Sequence, residues 1–172
     1  MLSNKIEKEL NNQILLEAES SQSYLAMASW AENKGFVGTT NFLYKHSDEE
    51  RIHMLKLVRY VNDRDGKAII PALKKPSDSF DSVTKMFRTI LEHERNVTQM
   101  INKLVALCLE EKDYTTHNFL QWYVSEQLEE ESLVKMILDK LKLIGDDKGG
   151  LYLFDNDIER ISAPKPLAGG GQ

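Results

Sequence analysis

Glu50 and His53 stand three residues apart in the stretch Glu49-Glu50-Arg51-Ile52-His53. On a helix that spacing puts a carboxylate and an imidazole on one face, about one turn apart. Together they make half of a divalent-metal site, and Glu-x-x-His is the form in which helix bundles present ligands to two-metal centres. Alone the pattern is weak, because Glu–His pairs at this spacing arise by chance in many helices. The chain, however, echoes it. Glu17 lies 33 residues before Glu50, and a shift of 77 residues carries Glu17, Glu50 and His53 onto Glu94, Gln127 and Glu130. The order is Glu…Glu-x-x-His, then Glu…Gln-x-x-Glu. Such self-similarity points to two helical hairpins, each with one ligand on its first helix and a pair on its second. Gln127 is neutral and Glu130 stands where the first copy has histidine, so the two metal positions are expected to be inequivalent.

Four long helices must carry these residues, and heptad-spaced rows supply them. The first runs from about residue 4 to 33, with Asn4 and Glu7 as its capping arrangement and Leu10, Glu17, Tyr24 and Ala31 in one row. The second runs from about 38 to 65, with Leu43, Glu50 and Leu57 in one row and His46, His53 and Tyr60 in the next. The third, about 83 to 112, aligns Phe87, Glu94 and Ile101. The fourth, about 117 to 144, aligns Tyr123, Glu130 and Ile137 beside Leu120, Gln127 and Val134. Between the second and third helices lies a connection of about 17 residues containing Pro71 and Pro76. Extended, it reaches up to about 56 Å, more than the length of about 42 Å of a 28-residue helix. It can therefore cross the bundle and start the third helix at the far end. A loop over 145–150 and a short fifth helix over 151–161 follow. The expected fold is an all-α four-helix bundle with one long crossover, residues 1–161 forming one domain and 162–172 a loose tail.

Each of Glu17, Glu50, Glu94 and Glu130 has bulky apolar residues seven places before and after it, and so faces the core. Burying one unpaired carboxylate costs several kcal/mol or forces its protonation. Four such groups from four helices need cations among them, and no lysine or arginine shares their rows. Two divalent ions would supply the charge. Glu9 also lies between apolar residues, but the four glutamates share one depth near mid-bundle, whereas Glu9 falls about 12 Å away along the axis.

Composition sets outer bounds. The chain of 172 residues is 41% hydrophobic and 28% charged, which fits a soluble single globular domain. A net charge of −5 argues against a nucleic-acid surface. One cysteine, Cys108, precludes an internal disulfide and fits a reducing compartment. No apolar leader and no run long enough to span a membrane is seen, so the expected location is cytoplasmic.

Over nearly its whole length the chain resembles the bacterial non-haem ferritins. The resemblance rests on Glu17, Tyr24, Glu49-Glu50-x-x-His53, Glu94, Trp122 and Glu126-Gln127-x-Glu129-Glu130, with the long crossover and the fifth helix. It implies a ferritin-like fold and a di-iron centre. One iron would be held by Glu17, Glu50 and His53, and a second by Glu50, Glu94 and Glu130, Glu50 bridging. Gln127 would be a hydrogen-bonding neighbour of the second, and Tyr24 and Trp122 aromatics beside the centre. A third position would use Glu49, Glu126, Glu129 and Glu130. The resemblance also implies ferroxidase activity with dioxygen or peroxide, a ferric mineral as stored product, and a hollow homo-oligomer of 24 subunits. The related haem-carrying bacterioferritins have methionine where Arg51 stands and Glu-x-x-His where Gln127-x-x-Glu130 stands, so haem is not expected.

The remaining histidines, His46, His93 and His117, read most simply as surface or packing residues. Glu110, Glu111, Asp113 and His117 read as a solvated turn rather than an ion-admitting pore. Two rival functions remain: a soluble di-iron oxidase or peroxidase without storage, and a non-catalytic helical bundle that only binds or scaffolds.

Overall fold

The computed structural model describes residues 2–161, and among these it contains five α-helices, one short 3-10 turn and no strand. They are α1 (Asn4–Asn33), α2 (Val37–Asp63), α3 (Val83–Glu110), α4 (Tyr114–Ile144) and α5 (Lys148–Asp157), followed by a 3-10 turn at Ile158–Arg160. The hairpin α1–α2 packs against the hairpin α3–α4, chiefly through α1 and α3. The tail expected over 162–172 lies outside the described residues.

Helix bodies agree with the heptad rows, while their ends were set by caps. Ser3, not Asn4, caps α1, its hydroxyl accepting from the Ile6 amide at 3.3 Å. α4 begins at Tyr114, three residues earlier than expected, because the Asp113 carboxylate accepts from the Thr116 amide at 2.9 Å and captures its hydroxyl at 2.7 Å. Asp113 also pairs with Arg64 at 3.1 Å, which ties the end of α2 to the α3–α4 turn. That turn is thereby a structural joint. α5 likewise starts at Lys148 rather than 151, since Asp147 caps it through the Gly150 amide at 2.6 Å.

The crossover has no regular structure of its own and is fastened at both ends of α1. Asn11 accepts from the Ile69 amide at 2.7 Å and donates to the Lys67 carbonyl at 3.0 Å. Nineteen residues further along α1, Trp30 meets Phe80 edge-on, ring centroids 5.6 Å apart. The segment therefore runs along α1 for about 28 Å, given about 1.5 Å per helical residue.

The core falls into two apolar clusters. One contains Tyr24, Met27, Leu43, Phe87, Ile90 and Val134. The other contains Leu10, Ile14, Leu57, Val97, Ile101 and Leu120. Between them lies a layer of buried polar side chains: Glu17, Glu50, His53, Glu94, Gln127 and Glu130.

α5 completes the bundle by capping α2. The residue before α2 is Phe36, which offers no side-chain acceptor. The buried Asp155 of α5 takes that role, accepting from the Gly38 amide at 3.1 Å, the Thr39 amide at 2.8 Å and the Thr39 hydroxyl at 2.7 Å. A helix N-terminus favours a carboxylate on both hydrogen-bonding and dipole grounds. Only glycine fits at 38: a Cβ there would stand 1.8 Å from the Asp155 carbonyl oxygen. Asp155→Ala removes a charged acceptor serving three donors, and is expected to destabilise the chain by about 2 kcal/mol or more. A lowered melting temperature, with faster proteolysis in the loop before α5, would be the measured outcome.

Candidate metal centre

Each helix of the bundle contributes to the polar layer. Glu17 comes from α1, Glu50 and His53 from α2, Glu94 from α3, Gln127 and Glu130 from α4. α1 and α2 are held in register beside it by reciprocal contacts: the Ser21 hydroxyl donates to the Ser47 carbonyl and the Ser47 hydroxyl to the Ser21 carbonyl, both at 2.8 Å. Two small side chains allow that close approach, one turn from Glu17 and just before Glu50.

Glu17, Glu50 and His53 each offer a ligand atom, and these lie within 4.8 Å of one another. His53 Nδ1 is 3.4 Å from Glu50 Oε2 and 3.8 Å from Glu17 Oε2. Donors bound at about 2.1 Å around a tetrahedral ion stand about 3.4 Å apart, so this triad is close to a coordinating arrangement already. Gln13, four residues before Glu17, donates to Glu17 Oε1 at 2.7 Å. The Tyr123 hydroxyl donates to the His53 carbonyl at 2.8 Å, and Trp122 meets the His53 ring edge-on at 5.1 Å with Lys56 Nζ 3.3 Å over its centre.

Glu94 is held differently. Tyr24 donates to its Oε1 at 2.9 Å and Gln127 to its Oε2 at 3.1 Å. The structure thus does not draw Glu50, Glu94 and Glu130 into one tight group. Glu130 instead lies with His46 and Glu49 in a second three-ligand group. Glu126 and Glu129 are half-buried and line the cavity of about 340 Å³ that opens between α2 and α4 beside that group.

Electrostatics show what the layer lacks. Among the described residues no lysine or arginine pairs with Glu17, Glu50, Glu94 or Glu130. Burial, with Glu50 beside it, pushes the Glu17 carboxyl well above its ordinary range; burial and Glu94 do the same to Glu50. Glu130 is pushed up to about 8 by burial, with Glu94 and Glu49 adding to it. Burial and the Glu94 charge also hold Tyr24 firmly protonated. A buried carboxylate keeps its charge only where a cation answers it. The donor set of carboxylates and imidazole suits divalent iron, zinc or manganese.

A ferritin-like domain family model matches residues 7–144. The chain belongs to the ferritin family. It is 46% identical to a probable bacterial non-heme ferritin-like protein of Haemophilus influenzae, over 94% of this chain and 98% of that one. It is 44% identical to the bacterial non-heme ferritin of Campylobacter jejuni, over 94% and 97% respectively. Its structure superposes on an open-pore ferritin of the archaeon Archaeoglobus fulgidus with a TM-score of 0.90, at 40% identity and covering 92% of this chain and 98% of that one. The ferritin fold expected from the four rows and the crossover is therefore the observed one.

Within this ferritin, His46 is a packing residue rather than a surface one, set against Phe42 and Tyr24; that it also faces Glu130 escaped the sequence reading. Its place in the His53 row, seven residues earlier, carried the signal. Gln13, one turn before Glu17, and the Ser21–Ser47 clasp had no row to mark them, because polar residues at a helix crossing look like any exposed ones. His93 packs as well, bonding the Ser20 hydroxyl at 2.7 Å.

The raised carboxyls give a pH prediction for the metal-free protein. A carboxyl whose folded pKa exceeds its unfolded value binds more protons in the folded chain, so stability falls as pH rises between the two. For Glu130 that window runs from about 4.5 to about 8. The melting temperature of metal-free protein is expected to fall across this range, and added divalent ion to restore it most strongly at the upper end.

Proposed function

We propose that this chain stores iron and oxidises ferrous iron at an intra-subunit centre within its four-helix bundle. The observation that carries the reading is the buried layer of four glutamates, one from each long helix, with no basic partner among the described residues. Two divalent irons entering as substrate answer that charge. One is assigned to Glu17, Glu50 and His53. The second is assigned to Glu50, Glu94 and Glu130, with Glu50 between the two. Closing the second position requires Glu94 to turn toward Glu50 and to release at least one of the hydrogen bonds that Tyr24 and Gln127 now donate to it. A third position is assigned to the cavity side, where Glu49, Glu126, Glu129 and Glu130 gather.

In this role the protein places the metals and excludes bulk water, while each ferrous ion loses one electron. With dioxygen as acceptor, two electrons and two protons yield peroxide. Ferric product then moves to the interior of a hollow homo-oligomer of 24 subunits and hydrolyses to mineral. The similarity to solved ferritins supports such an assembly, one of them being described as open-pored. No described helix is long and apolar enough to cross a membrane, and the one cysteine is a buried free thiol. Together with the relatives these support a cytoplasmic location.

The test adds ferrous salt to metal-free protein in air, follows oxidation, then sizes the product. Fast oxidation ending in a large soluble ferric particle is expected. Glu50→Ala removes the shared ligand and should slow the initial phase by about tenfold or more, at least the loss that outer-shell changes cause. Oxidation at the rate of a protein-free blank would overturn the reading. Fast oxidation with no retained iron would favour an oxidase without storage.

A further inference from the structure

The buried layer is reached from two sides, and the two approaches differ in chemistry. The cavity between α2 and α4 is lined by Glu49, Glu126, Glu129 and Glu130, and a cleft walled by one sign of charge concentrates the opposite ion. A smaller cavity, of about 50 Å³, lies between the other pair of helices, α1 and α3. Its inner wall is made by the buried Tyr24, Met27, Ile90 and Glu94. Its outer end is made by exposed Thr89 with half-buried Ser23 and His93. The cavity therefore leads from the surface to Glu94.

The polar groups along it are already engaged with one another. The Ser20 hydroxyl and His93 Nε2 share a hydrogen bond of 2.7 Å, which joins α1 to α3 at the cavity wall. Tyr24 donates to one oxygen of Glu94 at 2.9 Å, and Gln127 to the other at 3.1 Å. The Thr89 hydroxyl donates back to the Lys85 carbonyl of its own helix at 3.2 Å. An ordered water needs about two to four free polar partners, and a cavity without them stays dry. Glu94 is the one carboxylate among the described lining residues. A ferrous ion entering here would shed its waters with no set of oxygen ligands to replace them. An uncharged apolar molecule sheds almost nothing. One water-sized guest needs about 10–15 Å³, so this cavity accommodates a diatomic molecule.

We propose that the α1–α3 cavity is the entry and holding site for dioxygen, separate from the acidic approach that iron takes. The inference rests on the ferroxidase reading above and adds the route of its electron acceptor. Dioxygen held beside Glu94 takes one electron from each of two ferrous ions, gains two protons and departs as hydrogen peroxide. Peroxide carries a hydrogen-bonding group at each end, so it travels with water through the larger α2–α4 cavity.

The test narrows the outer end of the cavity with Ser23→Leu and, separately, Thr89→Leu, each in the native assembly. Ser29→Leu, at an exposed position further along α1, is the control. Crystals of the unaltered protein under xenon pressure are expected to hold a xenon atom against Tyr24, Met27 and Ile90, and those of Ser23→Leu to lack it. In stopped-flow oxidation at saturating ferrous salt, each plug should lower kcat/KM for dioxygen by about tenfold, a rise of about 1.4 kcal/mol in the barrier. Ser29→Leu should leave it unchanged. Ferrous binding without oxygen, followed by calorimetry, and the rate with hydrogen peroxide as oxidant should also be unchanged in the plugged variants. A xenon-free cavity in the unaltered protein, or equal slowing with dioxygen and peroxide, overturns the proposal. Fast oxidation by the unaltered protein with neither plug altering the dioxygen dependence overturns it alone. Oxidation by the unaltered protein no faster than a protein-free blank sinks the ferroxidase reading and the proposal with it.

Discussion

Four carboxylates buried in the middle of an apolar bundle are the constraint to which the rest of this structure answers. Two hydrophobic clusters, one above and one below, would merge into a single continuous core if Glu17, Glu50, Glu94 and Glu130 were leucine. Instead they are separated by a polar layer that holds no lysine or arginine. Ionised, the layer repels itself; protonated, it wastes buried polar groups. Divalent ions resolve both problems, and they tie the stability of the bundle to the metal it handles.

Much of the surrounding architecture serves to hold that layer in place. The Ser21–Ser47 clasp sets the register of α1 against α2. Tyr24 and Gln127 divide the two oxygens of Glu94 between them, and Gln13 holds one oxygen of Glu17. Tyr123 anchors the backbone at His53, and the aromatic wall of Trp122 limits how that ring turns. Asp155, reaching across from α5, secures the start of the helix that carries His46, Glu49, Glu50 and His53. A contact between the two ends of the chain thus supports the helix that carries most of the candidate ligands.

The layer is not symmetric, although the sequence repeat is. On the α1–α2 side the triad is compact and near coordinating distances. On the α3–α4 side Gln127 replaces an acid with an amide, which satisfies Glu94 by hydrogen bonding and leaves Glu130 free to face the cavity. There it meets His46, whose row continues that of His53 by two turns. The asymmetry between the two halves therefore has a direct structural cause in the two substitutions of the repeat, Gln127 for Glu50 and Glu130 for His53.

Heptad rows, matched depth and the reach of a proline-containing connection made the bundle, its crossover and the buried polar layer legible from residue order alone. Periodicity reports which face of a helix is apolar, and a glutamate among leucines stands out against that background. It does not report helix ends, because caps such as Ser3, Asp113 and Asp147 act through single hydrogen bonds that leave no periodic trace. Nor does it report rotation about χ angles or which residues of different helices meet. Whether Glu94 faces a metal or Tyr24, and whether His46 packs or presents a nitrogen, depends on distances between elements far apart in the chain. Those distances exist only once the four helices have been brought together, so they were decided by tertiary packing.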